Sequence, residues 1–487
     1  MRNHHQRFLV VFVLFLLSLG LTWAITQPPY GVSDEPAHTV KALASARGHL
    51  NGPHVIGQFD YQAIEFEVPA AYSSIWHFVC YNSDPNVTPE CAPPFPSSSE
   101  RTAVSSTAGE YPPLYYAVVG WLGWLSPDQH GLMMMRVMTV FVVVAMAGFA
   151  SWLLHQHQTH SGADAILMGL TPTVLAFSGT VNPFGPEIAA AVLFWTSSLL
   201  LLGETSSRKP LRQLIATMYG SAILLGFIRP ASFIWIFVIM LFVLVASPTP
   251  EGSRWSRPVT RHMIGASMTG ALISYMWFAG LMTTHSLGGG SPAGGTLLGN
   301  MRFSFERTDE YLRQILGFFG WTSFYSPPVV IILYVAILVL FVTFYRTNHS
   351  RVRLSLSGLV LFASLGPSVL EGARASSSGF GFQGRYLLPV LVGFPLILAC
   401  RSKGNRPSHH QGVLLGGLVL AQLFALNHAT RRFTVGLDGP YLWPLHMKWP
   451  GNLGPLATIT LSAVTWLLGG LLVVAHTQMV QSLSREQ

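Results

Sequence analysis

The chain has 487 residues, 50 % of them apolar and only 10 % charged, with a formal net charge of +8. Soluble domains carry charge at about a quarter of positions, so this composition excludes a large soluble core; apolar blocks recurring along the whole chain indicate a polytopic membrane protein. The basic excess does not mark a nucleic-acid binder: no basic tract is interleaved with aromatics, and Lys and Arg fall in short gaps between apolar blocks.

The first apolar run, 8–25, follows a basic start at Arg2 and Arg7. It can be read as a cleavable signal peptide, but it is long for a signal core and suits a retained first helix. Further stretches able to span lie at 132–154, 163–181, 187–203, 213–228, 231–247, 262–283, 328–345, 354–370, 386–400, 411–428 and 455–476. The expectation is an all-α polytopic protein with about 12 transmembrane helices, forming a single membrane-embedded unit over 1–487.

Placing the N-terminus in the cytoplasm and alternating puts Arg208, Lys209 and Arg212, then Arg254, Arg257 and Arg261, inside. The same alternation puts Arg346, Arg351 and Arg353, then Arg401, Lys403 and Arg406, and finally Arg485, on that side. Short basic segments on one side follow the positive-inside rule, so both termini are expected to be cytoplasmic. The stretch YPPLYYAVVGWLGWLSP at 111–127 is apolar, but counting it as a span inverts every later loop. We therefore read 113–125 as an interfacial or re-entrant helix, started by the proline pair.

Two large external segments result, 26–131 and 284–327, the second opening on the Gly-rich run HSLGGGSPAGG. Shorter external segments are 371–385 and 429–454. Loops of this length in a compact protein are usually functional. Cys80 and Cys91 share the first segment, so an oxidising compartment permits a disulfide, two free thiols being the alternative. Cys400 reads as a packing residue, and HQHQTH at 155–160 as a polar loop. There is no GxSxG, Walker or GxGxxG motif, which leaves nucleotide-driven chemistry without support.

GVSDEPAHTVK, residues 31–41, is a cluster of charge just after the first apolar run. Ser33 or Asp34 can cap a helix, Pro36 suits its first turn and Gly48 the residue past its end, predicting a short helix over 35–47 on the outer membrane surface. Spacing then puts Asp34 beside His38, with Lys41 one turn further. Capping plus a solvated loop is the bland reading. The functional reading is a carboxylate that accepts a proton from an acceptor hydroxyl, or that holds a divalent cation such as Mg or Mn through Asp34 and Glu35.

Arg136, Arg229 and Arg385 all fall at the external ends of predicted spans. Each alone can be a snorkelling side chain; three together suit an anionic headgroup beneath a general base, since arginine matches phosphate oxygens bidentately. Glu187 starts the fourth span and can cap it or face a substrate. Trp321 and Tyr325, in GFFGWTSFYSPP, are interface anchors or contacts, and Gln383 and Tyr386 flank Arg385 in QGRYLLP. The substrate-binding candidates are His38, Lys41, Arg136, Glu187, Arg229, Trp321, Gln383, Arg385 and Tyr386.

The order of DEPAH after a first helix, then PPLYY, an Arg-bearing second helix, GFFGWTSFYSPP and QGRYLLP resembles a bacterial family of predicted membrane proteins, domain of unknown function twenty-one forty-two. It is more distantly similar to the GT-C superfamily of glycosyltransferases that use polyprenyl-phosphate sugars. The resemblance covers about 25–400 of the chain. It implies a GT-C-like fold, a catalytic base at Asp34 with Glu35 as neighbour or substitute, sometimes with a metal, and phosphate binding at Arg385 and Arg229. Where the superfamily often carries Asn-Pro-Asp, this chain reads Asn182-Pro183-Phe184; either Glu187 compensates or that sugar contact is absent.

The resulting expectation is an inverting glycosyltransferase in the bacterial inner membrane. It transfers a sugar from a polyprenyl-phosphate donor to an envelope glycan, lipid or protein acceptor at the external face. The alternatives are a transporter or flippase of lipid-linked glycans, with charge lining a path to both faces, and a non-catalytic scaffold for envelope assembly.

Overall fold

The computed structural model describes residues 2–57, 62–73, 78–157, 159, 161–203, 208–230, 232–247, 258–280, 294–401 and 409–484. Of the basic gaps, Arg254, Arg257, Lys403, Arg406 and Arg485 lie outside these residues, as does most of the Gly-rich run after His285.

Helix α1 (Arg2–Thr26) leads through a turn into α2 (Glu35–Ala46). Strands β1 (His54–Ile56), β2 (Gln62–Pro69) and β3 (Arg101–Ser106) follow, then α3 (Leu114–Leu125) and α4 (Gln129–Gln156). The run 163–181, expected as one span, is broken into α5 (Gly162–Gly169) and α6 (Pro172–Ser178). Thr171 precedes a proline, whose ring disfavours helical backbone in the residue before it, so the helix stops there and restarts with Pro172 in its first turn.

The bundle continues with α7 (Phe184–Leu202), α8 (Arg208–Ile228), α9 (Ser232–Ala246) and α10 (Pro258–Gly280). A pair of short helices, α11 (Leu297–Glu306) and α12 (Thr308–Leu316), precedes the two-residue strands β4 (Phe318–Phe319) and β5 (Phe324–Tyr325). Then come α13 (Pro328–Phe344) and α14 (Ser350–Ser378). The tenth apolar run opens on a 3-10 turn at Gly384–Leu387 and continues as α15 (Leu388–Leu391) and α16 (Gly393–Arg401), before α17 (His409–Val435) and α18 (Pro455–Ser484).

Among the described residues, eight segments are long and apolar enough to cross a bilayer: those of α1, α4, α7, α8, α14, Gly384–Arg401, α17 and α18. Helices α3, α9 and α13 are apolar but shorter. Eight crossings of full length, rather than the expected twelve, are what the described residues show. Helix α7 is the axis of the bundle, with every residue buried. At 12 residues, α3 extends only about 18 Å, too short for a bilayer core of about 30 Å.

The segment between α1 and α4 has its own core and is not purely helical. Strands β1, β2 and β3 form an antiparallel sheet in that order, with Phe66 opposite Val104 and Val68 opposite Thr102. Ile64, Phe66 and Val68 alternate with Glu65 and Glu67, so one face of β2 is apolar and packs on Val40, Leu43, Tyr72 and Tyr116. That core buries α2, which is not a surface helix: Val40, Ala42, Leu43 and Ala44 are all fully covered. Gly120 of α3 faces the Ala42 carbonyl so closely that a Cβ would overlap it, which lets α2 and α3 pack backbone to backbone. Cys80 and Cys91 are joined in a disulfide, and Arg432 of α17 donates to the carbonyls of Tyr81, Asp84 and Val87 inside that loop.

Candidate functional site

The two adjacent acids at the start of α2 have opposite fates. Glu35 is fully buried and accepts from Arg136 Nε at 2.7 Å, from Arg136 Nη2 at 2.6 Å and from the Val181 N–H at 3.0 Å. Arg136, equally buried, spends its remaining donors on the carbonyls of Ala24, Gln27 and Pro28. Every guanidinium proton is used, so this pair ties the end of α1, the start of α2 and the α6–α7 turn together. Neither Glu35 as a second base nor Arg136 as a substrate contact fits this burial.

Asp34 occupies the N-cap position, yet its side chain makes no capping bond and its backbone is left-handed, with φ 69°. The carboxylate instead turns outward, 54 % exposed, with Oδ2 3.3 Å from Arg385 Nη2. Asp34 and Glu35 therefore face different partners and do not jointly form a cation site. Among the described residues no group of three or more His, Cys, Asp or Glu side chains converges as a metal site.

Arg385 is set by the 3-10 turn Gly384–Leu387, where the Gln383 carbonyl accepts from the Tyr386 N–H at 3.0 Å. Its guanidinium lies 4.0 Å above the Phe177 ring and 5.4 Å from that of Tyr386, and its buried Nε has no acceptor among the described residues. Charge-assisted bonds prefer about 2.7–2.9 Å, so the Asp34 contact is long and leaves this cation with spare donor capacity in apolar surroundings.

On the other side of Tyr386 stands Arg229, 5.2 Å from the ring centre. It donates to Glu187 Oε2 at 2.9 Å, while Ser232 Oγ donates to Glu187 Oε1 at 2.9 Å. Glu187 is thus the buried counterion of Arg229 rather than a helix cap. At the start of α7 the Asn182 Oδ1 accepts from the Phe184 N–H at 3.0 Å.

His38 is buried beneath this cluster and shares a hydrogen bond of 2.7 Å between Nδ1 and the Tyr116 hydroxyl. Burial pushes its imidazole down to about 3, against the pull of Asp34 and together with Arg229 and Arg385, so it is neutral at neutral pH. Lys41 does not join the cluster. It is buried and donates to the carbonyls of Gly109 and Leu50, which removes it from the substrate candidates. Trp321 touches the site through the backbone: its Nε1 donates to the Tyr30 carbonyl at 2.7 Å, and the Ser33 N–H donates to the Gly320 carbonyl.

The structure therefore brings Asp34, Arg385, Tyr386, Arg229, Glu187 and His38 into one neighbourhood and leaves Glu35, Arg136 and Lys41 in its scaffold. Two contributors went unseen in the sequence. Phe177, the platform under Arg385, sits in an unbroken apolar run that offers no signal. Tyr111, whose ring stands edge-on to His38 at 5.4 Å, precedes the PPLYY helix start and had only its position to mark it.

Two crystal structures of ArnT from Cupriavidus metallidurans resemble this chain. The one bound to undecaprenyl phosphate shares 14 % identity at a TM-score of 0.46, and the apo one 12 % at 0.45; each alignment covers 97 % of this chain and 77 % of the other. No curated protein matches the sequence. The family described as "Predicted membrane protein (DUF2142)" matches residues 16–394, and the chain belongs to that family of multi-pass membrane proteins.

Proposed function

We propose that the protein is a membrane glycosyltransferase that takes a sugar from a polyprenyl-phosphate donor at the external face of the bacterial inner membrane, with both termini cytoplasmic. The observation that carries the reading is Arg385: a buried guanidinium with an unused Nε, in contact with an exposed carboxylate. A cation held in apolar surroundings with free donors suits an anionic headgroup, and the neighbouring carboxylate suits a base.

In this reading Arg385 binds the donor phosphate, and Arg229, held by Glu187, adds a second positive charge across the Tyr386 ring. Asp34 takes the proton from the acceptor hydroxyl as that oxygen attacks the anomeric carbon. The bond from the anomeric carbon to the phosphate oxygen breaks, polyprenyl phosphate leaves with the electron pair, and the configuration inverts. Arg385 then neutralises charge that grows on the leaving phosphate, the kind of interaction that is strongest in the transition state. Glycan, lipid and protein hydroxyls are all chemically suitable acceptors.

The test is turnover of purified protein with a panel of polyprenyl-phosphate sugars, read as release of polyprenyl phosphate. Asp34→Asn should lower the rate by about 10²–10⁴ while the melting curve stays unchanged, because the side chain is exposed and caps nothing. A near-wild-type rate in that variant refutes the assignment. Movement of a lipid-linked glycan between leaflets without release of polyprenyl phosphate would instead support the transporter reading.

A further inference from the structure

Among the described residues Arg385 makes one long side-chain hydrogen bond, yet its place is well determined, and the reason lies in the residues before it. The Phe382 N–H donates to Glu371 Oε1 at 2.8 Å, and the Gly384 N–H donates to Gln314 Oε1 at 2.6 Å. Gly384 also lies so close to the Tyr311 carbonyl that a Cβ there would overlap it. Both acceptors are buried and both are themselves held. Glu371 Oε2 accepts from Ser304 Oγ at 2.7 Å and from the Tyr311 hydroxyl. Gln314 Nε2 donates to Glu310 Oε1 at 3.0 Å, and Arg307 grips the Glu310 carboxylate at 2.9 and 3.1 Å.

The contacts run from α11 and α12 to the backbone on the N-terminal side of Arg385 by two routes, one through the Glu371 carboxylate on α14 and one directly from Gln314 of α12. A buried carboxylate is costly, and packing α11 against α14 requires none. Three donors satisfy this one, and one of those donors belongs to the strap that carries the arginine. The Phe382 ring stands edge-on to both Tyr311 and Tyr386, each at 5.6 Å, so the strap is pinned by rings as well as by hydrogen bonds.

We infer that Glu371 and Gln314 are positioning residues that aim Arg385 at its anionic ligand, with α11 and α12 acting as the brace. This rests on the proposed role of Arg385 in phosphate binding. Neither residue touches the ligand; each acts through the backbone of Phe382 or Gly384.

The test uses the full-length protein in lipid nanodiscs, with decaprenyl phosphate as the probe and binding read by native mass spectrometry. Arg385→Ala should weaken binding about tenfold or more, and Glu371→Ala by about tenfold, with helical content unchanged. Glu371→Gln keeps an acceptor oxygen for the Phe382 N–H and should restore most of the affinity. The double variant Glu371→Ala/Arg385→Ala should bind no more weakly than Arg385→Ala alone, because the two act in series. Wild-type affinity in Glu371→Ala, beside a loss in Arg385→Ala, overturns the positioning role and leaves the phosphate role standing; so does full additivity in the double variant. Unchanged binding in Arg385→Ala overturns both. If Glu371→Ala does not fold, Gln314→Leu, which removes the bonds to Gly384 and Glu310, and Tyr311→Phe, which removes the hydroxyl bond to Glu371, carry the same comparison.

Discussion

The sharpest consequence of the structure is that neighbouring acids should fail in different ways. Glu35→Gln removes the negative charge from a pair in which both side chains are fully buried. The Arg136 guanidinium keeps its three carbonyl acceptors, but its charge is left uncompensated, and breaking a buried pair in this way costs about 3–5 kcal/mol. Against a net stability of about 5–15 kcal/mol that is a large fraction. The loss should show as a lower midpoint in unfolding followed by circular dichroism in detergent micelles, with reduced yield of folded protein. Whatever folds should retain turnover per folded molecule, because Glu35 faces Arg136 and Val181 rather than the open side of the site. An unchanged midpoint combined with lost turnover would refute this reasoning and return Glu35 to the chemistry.

Two further outcomes follow from groups in the segment between α1 and α4. His38 titrates at about 3 when folded and near 6.5 when unfolded, so its contribution is fully present above pH 6.5 and is lost as pH falls toward 3. At pH 5 the loss is about 2 kcal/mol, and His38→Gln should flatten that acid limb of the stability curve; an unaltered limb means the imidazole is not the group responsible. The Cys80–Cys91 disulfide closes a separation of 11 residues, worth about 3 kcal/mol in the loop-entropy view. Reduction should lower the melting temperature of the segment between α1 and α4, and a melt indifferent to reductant counts against that value.

The helix order was legible because membrane spans are written in composition: over the described residues each apolar run predicted from sequence coincides with a helix, or with a broken one where Thr171-Pro172 interrupts the third and a 3-10 turn opens the tenth. The break itself had a signal, a proline inside an apolar run. Strand β2 had one too, the alternation of Ile64, Phe66 and Val68 with Glu65 and Glu67. That period of two is short and lies among polar residues, so it is faint beside the long apolar runs of the spans. What could not be read was which acid faces outward. Asp34 and Glu35 are successive residues, and only the position of Arg136 in the fold decides which of them is sealed. The burial of Lys41 is hidden in the sequence for the same reason, since its acceptors at Leu50 and Gly109 come from outside its own helix.

The backbone adds an independent argument for Asp34. Three non-glycine residues among those described have left-handed backbone: Tyr30, Asp34 and Thr322. Such residues cost about 1–3 kcal/mol each and persist where the surroundings over-determine them. All three lie in two turns that touch, joined by the bond from Ser33 to the Gly320 carbonyl and from Trp321 to the Tyr30 carbonyl. The over-determination comes from Arg136, which holds the carbonyls of Ala24, Gln27 and Pro28 while Glu35 holds the start of α2. The chain between those anchors, Pro29 to Asp34, is thereby forced through two unfavourable conformations. A helix start with no further duty would place Asp34 in extended backbone and let its oxygen cap α2. Here the cap is forgone and the carboxylate is presented to Arg385. The buried acid stabilises a backbone whose effect is to expose its neighbour.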